Sequence, residues 1–150
     1  NGWAEPYAPK VKITQDTSPM GRMFINMANV PDKSVVGIPP YPGAVVLQTR
    51  GAGEMKVNGK PYLPYIKLLT ADSIDKVVSW YKAKLPSWQY QKVDFMGAVF
   101  HRFWKVKGNY EPMDMDAMGT IPNVVISDGK QHADDYPAVK TMIEITYQPE

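Results

Sequence analysis

Residues 70–88, Thr70-Ala-Asp-Ser-Ile-Asp-Lys-Val-Val-Ser-Trp-Tyr-Lys-Ala-Lys-Leu-Pro-Ser-Trp88, decide how the rest of the chain is read. Ile74, Val77, Val78, Tyr81 and Leu85 recur at i, i+3, i+4, i+7 and i+11, which is one face of a helix. Asp72 or Ser73 can cap its start, and Pro86 stops it. Asp72 and Asp75 stand where the helix dipole is positive, Lys82 and Lys84 where it is negative. The spacing therefore predicts one principal helix over 72–85 with a single apolar face to bury.

Strand and turn signals flank that helix on both sides. Upstream, Tyr41-Pro42-Gly43-Ala44 fits a type II turn, with proline second and glycine third, leading into a strand over 44–50. Asn58-Gly59 marks a type I′ hairpin, with Gly51 and Gly53 before it permitting a bulge. Residues 62–69 return as the partner strand, and Pro61 and Pro64 push its first half to an edge or bulged position. Downstream, strands are predicted over 88–93, 98–106, 123–127 and 141–147, with Met96-Gly97 as a turn between the first two. In the last, Thr141, Ile143, Ile145 and Tyr147 alternate with Met142, Glu144 and Thr146, as in a sheet with one solvated face. The fold class that follows is α+β: a mostly antiparallel sheet with the 72–85 helix packed on one face.

Residues 40–150 form a single α+β domain in this reading. Residues 1–39 form a proline-rich segment running extended over the surface, in which residues 11–14 could pair as a short edge strand. Ser18-Pro19 then opens a short helix over 19–28, with Met20, Met23, Phe24, Met27 and Ala28 on its apolar face. Two long irregular stretches, 107–122 and 128–139, are left for functional or mobile loops.

At 150 residues the chain can bury about 70% of its unfolded surface as one domain. A net charge of +2, with lysines scattered and never in a run, points away from nucleic acid. No apolar stretch reaches the roughly 18 residues a membrane span needs. The absence of cysteine removes disulfides, thiolate metal sites and cysteine nucleophiles together. The chain opens on Asn1 and not on methionine, which a removed signal peptide, a lipid anchor upstream or a chosen chain boundary would explain.

Pro40-Tyr41-Pro42-Gly43-Ala44 leading into a strand, followed about thirty residues later by Ser73-x-x-x-Val77-x-x-Trp80-Tyr81-x-x-x-Leu85, resembles small bacterial exported or lipoprotein-like domains of unknown function. The resemblance covers residues 40–92. It implies an α+β fold and a periplasmic or cell-envelope location. Its motifs are a turn and a packing face, so it transfers no catalytic residue.

No constellation in the sequence reads as catalytic. No serine sits in a G-x-S-x-G elbow, and Gly51-Ala52-Gly53 is too short for a dinucleotide loop. His101 lies in a strand, out of phase with Phe100 and Arg102, and reads as structural. His132, followed by Asp134 and Asp135, could serve as an oriented base or metal ligand, which makes an enzyme the weakest of three readings. Glu111, Asp114 and Asp116 lack the oxygen-donor spacing of an EF-hand. Met113, Met115 and Met118, in a predicted loop, offer three soft thioethers of the kind that suit Cu(I). The aromatics, Trp3, Trp80, Trp88, Trp104 and nine tyrosines among them, read mostly as core, with Trp80 at the edge of its helix face. The leading expectation is a non-catalytic envelope domain binding a protein partner or small ligand; a methionine-based Cu(I)-binding protein is the alternative.

Overall fold

The computed structural model describes residues 4–150; Trp3 lies outside them. The chain folds as α+β around one six-stranded, wholly antiparallel sheet. In chain order the elements are α1 (Pro19–Met27), α2 (Lys33–Val36), β1 (Val45–Arg50), β2 (Lys56–Val57), β3 (Lys60–Pro61), β4 (Tyr65–Thr70), α3 (Ile74–Lys84), β5 (Gln89–Phe95), β6 (Ala98–Trp104), α4 (Met115–Thr120), β7 (Asn123–Asp128) and β8 (Thr141–Thr146). The sheet runs β1-β4-β8-β7-β6-β5, and β2 and β3 form a small separate hairpin.

The predicted helix is α3. Ser73, not Asp72, is its cap, accepting from the Lys76 amide at 3.3 Å. Asp72 is instead taken by the Tyr41 hydroxyl, which, with Lys76, holds its carboxyl below the usual range. Val77, Val78, Tyr81 and Leu85 are buried against Val46, Ile66, Leu68, Phe103, Val124, Ile126, Ile143 and Ile145. All eight of these strand residues point to one face of the sheet, so α3 and the alternation in the strands define the same core. Trp80 is half-buried, edge-on to both Tyr41 and Tyr81.

The turns follow their chemistry. Gly43 has φ +81°, the left-handed position a type II turn requires. Asn58-Gly59 and Met96-Gly97 both take positive φ at two successive residues, as type I′ hairpins do. The bulge falls at Leu47 in β1 and not at the glycines after it, because the register slips between Val46 and Gln48 and turns the extra leucine into the second core.

Three expectations need correcting. The N-terminal segment does not merely run over the surface. Tyr7, Ala8 and Val11 are buried, and the Tyr7 hydroxyl donates to the Ile38 carbonyl at 2.5 Å. Residues 11–14 are not a strand. Pro9 and Val11 instead exchange two main-chain bonds with Val46, of 2.7 and 2.8 Å, which closes the β1 edge. Third, α1 forms as read but turns its methionines outward. Gly21, Ile25 and Ala28 are buried, while Met20, Met23 and Met27 are exposed, Met27 at 75%. The cause is a tether: Asp135 accepts from the Ser18 amide at 3.0 Å and the Ser18 hydroxyl at 2.7 Å. Its carboxylate lies where a side chain at position 21 would project, so only glycine lets the helix dock in that rotation.

Candidate functional site

The face of the sheet away from α3 is built differently. At one end it is closed by α1 and by the loop before β8, over Val11, Ile25, Leu47, Leu69, Val139 and Met142. At the other end the segment after β6 folds back across β5 and β6. Tyr110 stacks on Trp104, with centroids 4.1 Å apart and planes 18° apart. Gln91 receives the Trp104 indole N–H at 2.9 Å and donates to the Tyr110 carbonyl at 3.0 Å. Gln89 exchanges two further bonds with Gly108, of 2.8 and 2.9 Å.

Between these two covers a row of polar residues crosses the strands in register: Gln48, Lys67, Glu144, then Val125, then Arg102 and Gln91. Lys67 and Glu144 pair at 3.4 Å. Arg102 is 6% exposed and has no such partner. Among the described residues, the ion pairs within 4 Å are Lys33–Glu5, Lys67–Glu144 and Lys76–Asp72. The Arg102 Nε is buried without an acceptor. The guanidinium lies 5.1 Å from the Trp104 ring centroid. Burial works against its charge and Glu144 supports it, but a guanidinium stays protonated in either setting.

Arg102 lines a cavity of about 110 Å³. Val93, Phe100, Val125 and Met142 give it apolar walls, Ser127 and Glu144 add polar atoms, and Pro112 with exposed Met113 forms its rim. A largely apolar cavity lined by a buried guanidinium whose Nε lacks an acceptor, with Glu144 the carboxylate at its wall, can receive an anion carried on a small apolar body.

The sequence-predicted residues fall around this site and apart from it. Met113 is at the rim, while Met115 and Met118 lie on α4, a short helix within the predicted loop. Asp114 caps α4 by accepting from the Ala117 amide at 3.0 Å, and Asp116 stands 3.5 Å from the Tyr62 hydroxyl. Met113 and Met115 are exposed, Met115 at 55%, and Met118 is partly buried. His132 ends a 3-10 turn, Lys130–His132, and feels Lys67, Asp135 and Glu144. Burial and Lys67 hold its pKa below the usual value. Asp135 is committed to Ser18, and Asp134 is exposed. His101 lies on the α3 face, its Nδ1 2.6 Å from the Tyr90 hydroxyl, with burial and Lys92 lowering its pKa.

Arg102 was not singled out from the sequence. Its signal is nonetheless present: in Phe100-His101-Arg102-Phe103-Trp104 strand alternation puts the arginine on one face between Phe100 and Trp104. A cation flanked by aromatics on an inward face is out of pattern.

Compared with known protein families, with curated proteins and with solved structures, the chain matches none of them.

Proposed function

We propose that this is a non-catalytic ligand-binding domain of the cell envelope, taking a small carboxylate-bearing molecule at Arg102. The observation that carries the reading is the buried Arg102, its Nε without an acceptor, at a largely apolar cavity. A buried guanidinium N–H without an acceptor is expensive, and a carboxylate accepting two parallel N–H bonds is its best-matched partner. Size limits what enters. A cavity of 150 Å³ takes benzene, so about 110 Å³ holds the acid group and a few carbons, with anything larger projecting past Met113. Glu144 at the wall disfavours dianions such as phosphate. The envelope location rests on the resemblance of residues 40–92 alone.

The test is titration with acetate, propionate, benzoate and inorganic phosphate, following the Arg102 Nε–H resonance by NMR. Short monocarboxylates should shift it saturably and phosphate should not. If no carboxylate moves that resonance, or if Arg102→Met binds as well as wild type, the reading fails.

One observation favours a second reading, Cu(I) held by Met113, Met115 and Met118. Two of the three are exposed, where packing gives no reason for methionine. Met115 and Met118 are i, i+3 on α4 and share a face, and Met113 precedes the cap. Competition against a Cu(I) chelator under reducing conditions tests it. Equal competition by wild type and the triple Met→Leu variant would remove it.

A further inference from the structure

The two edges of the sheet are unlike. The β1 edge is closed by Pro9 and Val11. The β5 edge is bare: among the described residues its ladder partner is β6 alone, and no other main-chain group bonds to it. Phe95 pairs with Ala98 across the two-residue Met96-Gly97 turn, so Phe95, Val93 and Gln91 direct their N–H and C=O groups to β6. Those of Tyr90, Lys92 and Asp94 therefore point outward. Lys92 and Asp94 are exposed, and the hairpin tip beside them carries exposed Phe95, Val99 and Met96, the last at 91%.

We propose that β5 pairs antiparallel with β5 of a second copy of this chain, about a two-fold axis through Val93. Paired residues must point to the same side of a sheet, so a two-fold axis normal to it passes through a residue and not between two. The axis at Val93 sets Lys92 opposite Asp94 of the second copy, and Asp94 opposite its Lys92. Both outward-pointing pairs then exchange main-chain bonds, four in all, and both are of opposite charge. An axis at Lys92 would face two lysines, and one at Asp94 two aspartates. Charge thus favours the Val93 axis over both of its neighbours and makes the strand complementary to itself in that register. The overlap is short, so the dimer is weak and concentration-dependent.

Sedimentation equilibrium at low salt, from micromolar to millimolar protein, reads this directly. Wild type should show a reversible monomer–dimer equilibrium. Lys92→Asp or Asp94→Lys each turns two attractive pairs into repulsive ones and should weaken it about tenfold, while the Lys92→Asp/Asp94→Lys double variant restores it. Amide exchange at Lys92 and Asp94 should slow as concentration rises, with the methyl signals of Met20, Met23 and Met27 unmoved. A monomer at millimolar concentration, single variants that dimerise like wild type, or a double variant that fails to recover would overturn the proposal. So would concentration-dependent shifts at the α1 methionines in place of β5, which would move the interface to α1.

Discussion

The two faces of the sheet answer the same requirement in opposite ways. Under α3 the centre of the sheet is aliphatic and aromatic, and Val46, Ile66, Leu68, Val124, Ile126, Ile143 and Ile145 are all completely buried. On the far face the chain buries Arg102 and half-buries the Lys67–Glu144 pair, although Val125 between them shows that an aliphatic residue fits the row. Burying charge where hydrocarbon would serve costs stability. The first face is therefore explained by folding alone, and the second is where function has to be sought.

Breaking the α3 face should have the largest effect. Leu85 is buried among Val77, Val78 and Tyr81, so Leu85→Ala should lower the unfolding free energy by about 2–5 kcal/mol. Urea denaturation checks it. An unchanged midpoint would mean that the face does not carry the fold.

Arg102→Met sharpens the contrast because its sign is opposite. The substitution removes an unpaired buried charge and keeps an unbranched side chain against Trp104. Stability should rise by about 1–3 kcal/mol while carboxylate binding disappears. If Arg102→Met were instead as destabilising as Leu85→Ala, the arginine would be a structural residue and the two faces would be alike.

Legibility in the sequence divides along the same line. Helix 72–85, the Asn58-Gly59 and Met96-Gly97 turns, the Ser18-Pro19 helix start and the six strands of the main sheet are readable because local propensity and burial agree there. Three features were not, for different reasons. The rotation of α1 depends on Asp135 meeting Ser18, a contact over 117 residues that no local pattern encodes. Methionine spacing alone therefore pointed the wrong side inward. The cavity depends on residues 107–113 folding back onto Trp104, and that needs the Gln89 and Gln91 side chains to satisfy a loop backbone. α4 was missed because six residues with Asp114 as cap give too few turns for periodicity to show.

The tether itself predicts an intermediate effect. Asp135→Ala strips two hydrogen bonds from Ser18 at the start of α1 and should cost about 1–2 kcal/mol. Because α1 closes one end of the far face, the loss should also speed amide exchange at Ile25, and leave that at Val77 and Val78 unchanged. Equal acceleration on both faces would show that they unfold as one unit.

The smallest effect concerns pH. His132 and His101 lie on opposite faces, and burial lowers both pKa values below the ordinary 6.5. The unfolded chain thus takes up protons at a higher pH than the folded one. With more protons bound by the unfolded state, stability rises with pH across the interval from the lowered folded pKa up to 6.5, and is level above it. Acidification through that interval removes the contribution progressively. His132→Gln should flatten the part of the slope owed to the far face, where Lys67 adds to the burial effect and Asp135 and Glu144 oppose it. His101→Gln should flatten the part owed to the α3 face, where Lys92 and Lys82 add to burial and Asp75 opposes it. A carboxylate bound at Arg102 puts negative charge on the face of His132 and not on that of His101. It should therefore raise the His132 pKa and leave His101 in place, a difference that a histidine-resolved NMR titration with and without propionate reads directly. Equal movement of both, or of neither, would remove the link between the ligand and the far face.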